Sequence, residues 1–319
     1  MSEKGLKDNP SMKQLPAAIV MVRPASFGFN PETANTILYQ REITDNSRKE
    51  IERRARIEFD MLAGRLGEAG VEIIIFEDKE ELRTPDAVFP NNWVSFHEDG
   101  TVVMYPMFAP SRRPERRRDI IEKLQGSGFH VSRVVDLTHH ENEGRFLEGT
   151  GSVVFDHTQG CAYANFSART NPEVLKDLCG VLGYKPATFR AVNESGQEIK
   201  HTDMMMSIGD RFALLCGESI NDPAERKRVL DSVKATGREV IAIDRKQVEQ
   251  FAGNVLQLQT KTSGSVLAIS TAACLVLRSD QRDSLQRFTQ LVESPLPIFE
   301  GIGRGSARCM MADVHLPPN

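Results

Sequence analysis

Apolar residues recur along this chain in a repeating order of short strands and amphipathic helices. Residues 17–22 form an apolar run that predicts a strand, after a polar lead-in over residues 1–16. Apolar residues three and four positions apart predict a long helix over residues 46–68. Gly70 ends that helix, and residues 71–76 predict a second, buried strand.

Four further copies of this order follow, most with two strands before the helix and one after it. The predicted copies are strands 88–96 and 101–105, helix 114–125 and strand 130–135; strands 152–155 and 161–164, helix 172–182 and strand 188–192; strand 211–215, helix 223–236 and strand 240–243; and strands 255–259 and 266–270 with helix 280–292. Single strands that alternate with helices would indicate a doubly wound sheet. Five strand-strand-helix-strand units instead favour an α/β domain over residues 17–319, repeated radially around a central channel.

Composition narrows the class of protein. A hydrophobic content of 40% in 319 residues allows a large core, and a net charge of −4 with no long basic stripe argues against a nucleic-acid partner. No apolar run reaches the roughly 20 residues that span a bilayer, so we expect no membrane partner. Residues 1–5 lack the apolar stretch of a signal peptide, and we expect a cytoplasmic protein.

Cysteine usage draws attention to the end of the chain. Five cysteines without CxxC spacing suggest neither a disulfide framework nor a zinc site. Cys309 follows a segment, residues 301–308, with three glycines and two arginines. Guanidinium groups such as those of Arg304 and Arg308 lower the pKa of a nearby thiol, whereas apolar burial raises it. Cys309 is therefore either a reactive nucleophile on a loop or a buried structural cysteine, and the glycines and arginines favour the nucleophile.

Two segments place polar residues beside predicted strands. Residues 84–93 hold Asp86, Asn91, Asn92 and Trp93, which read either as a turn or as a polar clamp beside a hydrophobic wall. Arg112 and, further along, Arg169 could together hold a substrate carboxylate, or they could be solvated.

Two other segments carry acid–base chemistry. Glu148 precedes a glycine turn and is either a surface residue or an orienting carboxylate. His201 and Asp203 project to one face if their segment is extended, and histidine is the commonest general acid/base at neutral pH. No suitably spaced His or Cys partners lie nearby, so we expect no metal there, and methionines 204–206 are typical of core packing.

Together these segments resemble the guanidino-group-modifying superfamily, which comprises arginine deiminases, dimethylarginine dimethylaminohydrolases and amidinotransferases. The resemblance extends from Met21 to Cys309 and is closest to the branch that includes the citrulline utilization hydrolases. Its most specific matches are residues 147–149, 201–203 and 305–310.

The resemblance implies a five-bladed α/β propeller of the pentein type and a Cys–His–acid mechanism without metal or other cofactor. Cys309 would be the nucleophile, His201 the general acid/base and Glu148 its orienting carboxylate. In the related enzymes, the residue matching Asp203 holds the planar substrate head, and the one matching Asp86 contacts the substrate.

The resemblance also assigns the substrate's carboxylate to two arginines, Arg112 and Arg169.

The chain departs from its relatives at two positions that bear on the substrate. Relatives that bind a guanidinium carry at least one carboxylate where this chain has Asn91 and Asn92. Amides cannot neutralise a cation, so they suit a neutral ureido group better, although Asp86 and Asp203 leave arginine open.

The leading hypothesis is a cysteine-dependent hydrolase that converts citrulline to ornithine, ammonia and carbon dioxide. Alternatives are an arginine or methylarginine deiminase-type hydrolase, an amidinotransferase, and a non-catalytic binding protein on the same scaffold. The expected partner is a small amino-acid substrate, and the sequence leaves a homo-oligomer open.

Overall fold

Short strands and helices alternate along residues 13–33 and 45–319, which the computed structural model describes. The strands are β1 Ala18–Arg23, β2 Ile73–Glu77, β3 Val94–Phe96, β4 Thr101–Met104, β5 Arg133–Asp136, β6 Val153–Asp156, β7 Cys161–Asn165, β8 Lys185–Phe189, β9 Met206–Ile208, β10 Phe212–Leu215, β11 Glu239–Ala242, β12 Leu256–Gln259, β13 Ser265–Ser270, β14 Gln290–Ser294 and β15 Ala312–Val314. The helices are α1 Asp45–Glu68, α2 Arg118–Gly126, α3 Gly149–Ser152, α4 Pro172–Leu182, α5 Pro223–Lys234, α6 Arg245–Glu249, α7 Thr271–Val276 and α8 Ser279–Gln286.

Four consecutive units share one strand arrangement. In β3-β4-β5, β6-β7-β8, β9-β10-β11 and β12-β13-β14, the first two strands pair antiparallel and the third pairs parallel with the second. A helix or helix pair precedes each third strand, since a parallel partner requires a crossover. Gly100, with φ of +79°, forms the predicted hairpin turn between β3 and β4.

The fifth unit combines both ends of the chain. β15 pairs antiparallel with β1 through Val20 and Ala312, and β1 pairs parallel with β2 after the crossover through α1. A further pairing of Val314 with Phe96 joins β15 to β3. The molecule is therefore a five-bladed α/β propeller, as the resemblance implies, and its closing strand follows Cys309 directly.

Hydrophobic side chains fill the space between each sheet and its helices. In α1, the predicted apolar positions Ala55, Phe59, Leu62 and Leu66 are all fully buried, which confirms the amphipathic pattern. No helix in the described ranges is both long and apolar enough to cross a membrane.

Two sequence-based predictions of element type are wrong. The helix expected over residues 280–292 ends at Gln286, and Leu291 lies in β14, where it pairs with Leu267. The apolar residues there belong to a strand, which periodicity over so short a run does not distinguish from a helix. The strand expected over residues 88–96 begins only at Val94, because Pro90–Asn92 forms a 3-10 turn that leads with proline.

A buried ion pair between Asp156 and Arg238 joins two neighbouring units, and we expect the stability of the protein to depend on it. Arg238 donates to both carboxylate oxygens of Asp156, at 2.7 and 3.1 Å, and to the carbonyl of Gly209 at 2.7 Å. We expect Asp156→Ala to lower the free energy of unfolding by about 3–5 kcal/mol, because it leaves a buried guanidinium unpaired. Denaturant unfolding measures the effect. The control Asp231→Ala, which removes an exposed pair with Lys227, should change it by less than about 1 kcal/mol, and equal effects would contradict the prediction.

Candidate active site

An open cavity of about 590 Å³ gathers residues from distant parts of the chain. Six of the residues singled out in the sequence line it: Asp86, Asn92, Arg112, Arg169, His201 and Cys309. The other three, Asn91, Glu148 and Asp203, are buried behind the wall. Trp93 packs in the core beside β3 and not in the cavity, so the expected hydrophobic wall is instead supplied by Phe89 and Phe251.

Cys309 lies in a 3-10 turn, Ala307–Met310, that follows the glycine segment. The glycines there allow close packing, since a Cβ on Gly305 would lie 2.7 Å from the Phe89 ring and one on Gly303 would lie 2.9 Å from it. The thiol is buried, and its Sγ lies 3.7 Å from Asp203 Oδ2.

The surroundings of Cys309 favour a neutral thiol in the free protein. Burial, reinforced by the Asp203 carboxylate, raises the pKa of the Cys309 thiol well above its usual range. Arg308 does lower this pKa, as expected, but burial and Asp203 outweigh it, so the expected net lowering is wrong. Arg308 donates to Asp313 at 2.8 Å and to the Met311 carbonyl at 2.7 Å, and Arg304 is exposed to solvent. A reaction at Cys309 therefore requires removal of its proton.

His201 and Glu148 form a close pair at the cavity wall. The distance from His201 Nε2 to Glu148 Oε2 is 2.7 Å. Glu148 also accepts from the Phe108 N–H at 3.1 Å and from Arg169 Nη1 at 3.2 Å. Burial opposes ionisation of Glu148, but Arg169 and His201 outweigh it and hold the pKa of its carboxyl well below the usual range. An ionised, fully buried Glu148 can orient the imidazole and stabilise its protonated form.

Two glycines bring the Glu148 turn against the asparagines. Gly149 has φ of +47°, and a Cβ there would lie 2.2 Å from the carbonyl oxygen of Asn91. A Cβ on Gly151 would lie 2.4 Å from Asn92 Nδ2. Gly149 is needed for its positive φ, and both glycines are needed for the close contact with the asparagines. These requirements explain why glycines follow Glu148.

The segment that carries His201 and Asp203 is not extended, so the prediction that both project to one face is wrong. Thr202–Met204 forms a 3-10 turn. The Thr202 hydroxyl donates to the Ser152 carbonyl at 2.6 Å and accepts from the Asn165 N–H at 2.8 Å, which anchors the turn. As a result His201 contacts Glu148, while Asp203 contacts Cys309.

Asn254 is a site residue that the sequence reasoning missed. Its Nδ2 donates to Cys309 Sγ at 3.2 Å and to the Asp203 carbonyl at 3.3 Å, and its Oδ1 accepts from the Cys309 N–H at 3.4 Å. A Cβ on the preceding Gly253 would lie 2.4 Å from the Met204 carbonyl oxygen. The available signal was a Gly-Asn pair just before a predicted strand.

Asn91 and Asn92 leave hydrogen-bonding capacity unused. Asn91 Nδ2 donates to Asp203 Oδ2 at 3.3 Å, and Asn92 Oδ1 accepts from Arg112 Nη1 at 2.8 Å, which fixes both amide orientations. Asn91 Oδ1, Asn92 Nδ2 and Asp203 Oδ1 are buried without a hydrogen-bond partner among the described residues. A buried polar atom without a partner costs about 1–3 kcal/mol, so these atoms are positions where a ligand would gain.

The two arginines at the cavity are already paired with carboxylates. Arg112 is buried and donates to Glu115 at 2.8 Å and to the carbonyls of Asp86 and Phe89. Arg169 donates to Glu148, and its buried Nε has no hydrogen-bond partner among the described residues. Their role as a carboxylate clamp stays a prediction.

Asp86 is held by neighbouring polar groups. Its Oδ2 accepts from Asn30 Nδ2 at 2.8 Å and from the Thr33 hydroxyl at 3.0 Å. Its contact with substrate, inferred from the resemblance, stays a prediction as well.

One family of known proteins matches nearly the whole chain. The model of the N,N-dimethylarginine dimethylhydrolase family, eukaryotic, matches residues 23–316. The chain belongs to this family. It is therefore a member of the guanidino-modifying pentein superfamily and a hydrolase of carbon–nitrogen bonds other than peptide bonds, of the amidine or ureido type. No curated protein matches the chain.

Solved structures share the fold at low sequence identity. The N-terminal domain of an ArgZ variant, covalently bound to a reaction intermediate, superposes with a TM-score of 0.71 at 17% identity and covers 94% of this chain and 99% of that one. ArgZ is an arginine dihydrolase from the ornithine–ammonia cycle in Cyanobacteria. Unliganded AgrE superposes with a TM-score of 0.70 at 20% identity, and the match covers 95% of this chain and 40% of that one. A dimethylarginine dimethylaminohydrolase adduct with S-methyl-L-thiocitrulline superposes with a TM-score of 0.63 at 16% identity, and the match covers 93% of this chain and 99% of that one.

The raised pKa of Cys309 predicts its alkylation profile. Only the thiolate reacts, so the rate with iodoacetamide should increase about tenfold per pH unit and still be rising at pH 9, where an ordinary cysteine is largely ionised. Asp203→Asn removes a neighbouring negative charge without changing shape, and it should accelerate alkylation at pH 8. Mass spectrometry of the peptide that contains Cys309 gives both rates. A plateau below pH 8, or slower alkylation of the variant, would contradict this assignment.

Proposed function

We propose that this protein hydrolyses the ureido group of citrulline to ornithine, ammonia and carbon dioxide, with Cys309 as the nucleophile. The observation that carries this proposal is the buried N–H of Asn92 Nδ2, which has no hydrogen-bond partner in the described part of the chain. A guanidinium group presents only N–H donors to its site, whereas a ureido group also presents a carbonyl oxygen. Asn92 can donate to that oxygen.

The acceptors beside Asn92 complement the rest of a ureido head. Asp203 Oδ1 and Asn91 Oδ1 lie unpartnered behind the cavity wall, so we infer that they accept from the ureido N–H groups once the substrate head has entered past Asn92. Asp203 Oδ2 lies 3.7 Å from Cys309 Sγ, so a head bound there has its central carbon near the thiol. A neutral head also brings no formal charge into this buried wall, which lowers the cost of desolvation.

The first chemical step is formation of a thiocarbamate. His201, held by Glu148, takes the Cys309 proton, and the thiolate attacks the ureido carbon. Ammonia leaves with a proton from the imidazolium as the C–N bond breaks, so the ornithine moiety remains attached to sulfur through the carbonyl. The Asn254 amide N–H, 3.2 Å from Sγ, stabilises the thiolate.

The second step regenerates the enzyme. His201 takes a proton from water, whose oxygen attacks the thiocarbamate carbon, and the C–S bond breaks to return the Cys309 thiol. The released carbamic acid decomposes to ornithine and carbon dioxide. The imidazolium gives the proton taken from water to the departing sulfur, so one histidine serves as base, acid, base and acid in turn, which requires the fixed orientation that Glu148 supplies.

Arginine is the second candidate substrate. The carboxylate of Asp203 beside Cys309 favours a cationic head electrostatically, and the structurally similar ArgZ is an arginine dihydrolase. Arginine would give citrulline and ammonia, and a methylarginine would give citrulline and a methylamine. An amidinotransferase would use the same first step with an acceptor amine in place of water. A guanidinium would leave the Asn92 N–H unpartnered, which is why citrulline is preferred.

The remaining partners and the compartment stay proposals too. All five cysteines are free thiols, which supports a reducing compartment such as the cytoplasm. A small amino-acid substrate is the partner that the cavity suits, and a homo-oligomer stays open.

Product analysis tests the proposed reaction. We expect purified protein to release ornithine and ammonia from citrulline, and Cys309→Ser to abolish release because a hydroxyl is a far weaker nucleophile here. Chromatography of the amino acids after incubation with citrulline, arginine or dimethylarginine gives the specificity. Citrulline formed from arginine, without ornithine from citrulline, would establish the second candidate instead.

Asn92→Asp tests the hydrogen bond that favours citrulline. The substitution replaces a donor with a carboxylate, so we expect kcat/KM for citrulline to fall by about 5- to 150-fold, the equivalent of 1–3 kcal/mol. Activity on arginine should fall less or rise. Asn165→Asp, at a fully buried amide outside the cavity, controls for a general effect of a new charge on folding. Equal loss on both substrates would contradict the role of Asn92.

A further inference from the structure

Three side chains that the reaction does not use lie together beside a second, small cavity. His157 follows β6, Asp313 lies within β15, and His315 follows that strand. One ligand atom from each lies within 4.8 Å of the other two. Asp313 and His315 are two residues apart along the strand direction, which directs both to one face. His157 and Asp313, together with Asp203 and Arg308, line a cavity of about 30 Å³ next to this cluster.

We propose that His157, Asp313 and His315 bind a divalent transition-metal ion, with Zn²⁺ the best match. Two imidazole nitrogens and one carboxylate oxygen form a common three-residue zinc ligand set, which leaves a fourth tetrahedral position for water. The adjoining cavity has room for one such water. This proposal goes beyond the reaction at Cys309 and does not depend on it.

Each proposed ligand has a free atom for the ion. His157 Nδ1 lies 2.9 Å from the Tyr184 hydroxyl, so Nε2 remains for the metal. Asp313 Oδ1 accepts from Arg308 at 2.8 Å, so Oδ2 remains. His315 is 6% exposed, and its Nε2 lies 3.5 Å from Asp313 Oδ2 without a hydrogen bond.

The outer contacts match those of known metal sites. Ligating histidines donate their other ring N–H to a neighbouring acceptor, and ligating carboxylates are themselves hydrogen-bonded. Tyr184 and Arg308 provide these two contacts. The guanidinium of Arg308 places a positive charge next to the site, which weakens binding of any cation but leaves one oxygen of Asp313 available.

A bound ion would connect two separate units of the ring. His157 belongs to the turn between β6 and β7, whereas Asp313 lies in the strand that closes the propeller and His315 directly follows it. The ion would hold that strand in place together with Arg308, which directly precedes Cys309. Its role would therefore be structural, and it would raise the thermal stability of the protein.

Metal titration of the Cys309→Ser variant tests the proposal without interference from the catalytic thiol. We expect this variant to bind one equivalent of Co²⁺ with visible d–d absorption and no sulfur-to-cobalt charge-transfer band. Zn²⁺ should displace the cobalt and raise the melting temperature. Binding of no stoichiometric ion would overturn the proposal, whatever the result for citrulline.

Substitutions in the same background locate the site. His315→Gln should abolish cobalt binding, and Tyr184→Phe should weaken it about 10- to 100-fold because His157 loses its outer partner. If Tyr184 served only in packing, its phenylalanine variant would bind cobalt normally. His97→Gln is a matched control, since its ring lies 6.3 Å from that of His157 without being a proposed ligand. Should His315→Gln not fold, Tyr184→Phe decides, and unchanged binding in it would overturn the proposal.

Discussion

Pairing of β15 with β1 closes the ring, and the position of Cys309 depends on it. The closing strand begins three residues after the cysteine, so its hydrogen bonds to β1 fix where the preceding turn lies. The glycines of that turn then allow it to pack against Phe89, while Asn254 from another unit holds both the backbone and the sulfur of Cys309. The Cys309 thiol is thus positioned by residues far from it in sequence.

Charge pairing decides the chemical state of the site. Glu148 is balanced by Arg169 and His201, and Arg112 by Glu115, so each of these buried charges has a partner. Cys309 lacks such a cationic partner, and its strongest ionic neighbour is the carboxylate of Asp203. The free protein accordingly keeps a neutral thiol, and in the proposed reaction a neutral His201 imidazole, oriented by the Glu148 carboxylate, accepts its proton.

The sequence predicted best those features that local signals encode. Helix α4 matches its predicted bounds because Asn171 caps it, Pro172 occupies its first turn and Gly183 ends it with φ of +71°. The five-unit order was likewise readable, since each helix is followed by a short apolar strand. The end of α8 could not be predicted from the sequence, because a brief apolar run fits a strand or a helix equally well.

The residues of the candidate site show the same contrast between features that local sequence signals encode and features that distant residues determine. Cys309 and Glu148 stand next to distinctive glycines, His201 stands in the short motif 201–203, and the structure brings His201 and Glu148 into contact. The raised pKa of Cys309 was not predictable, because Arg308 turns to Asp313 and the carboxylate next to the thiol comes from another unit. Asn254 was missed because a single asparagine before a strand carries no chemical signature of its own.

The most direct test of the account is the mass of the protein after rapid acid quenching of its reaction with citrulline. We expect a transient adduct on Cys309 that adds the mass of citrulline less ammonia, absent from Cys309→Ser and strongly reduced in His201→Gln, which lacks the base that removes the thiol proton. Turnover of citrulline without any adduct on Cys309, or an adduct on another residue, would contradict Cys309 as the nucleophile.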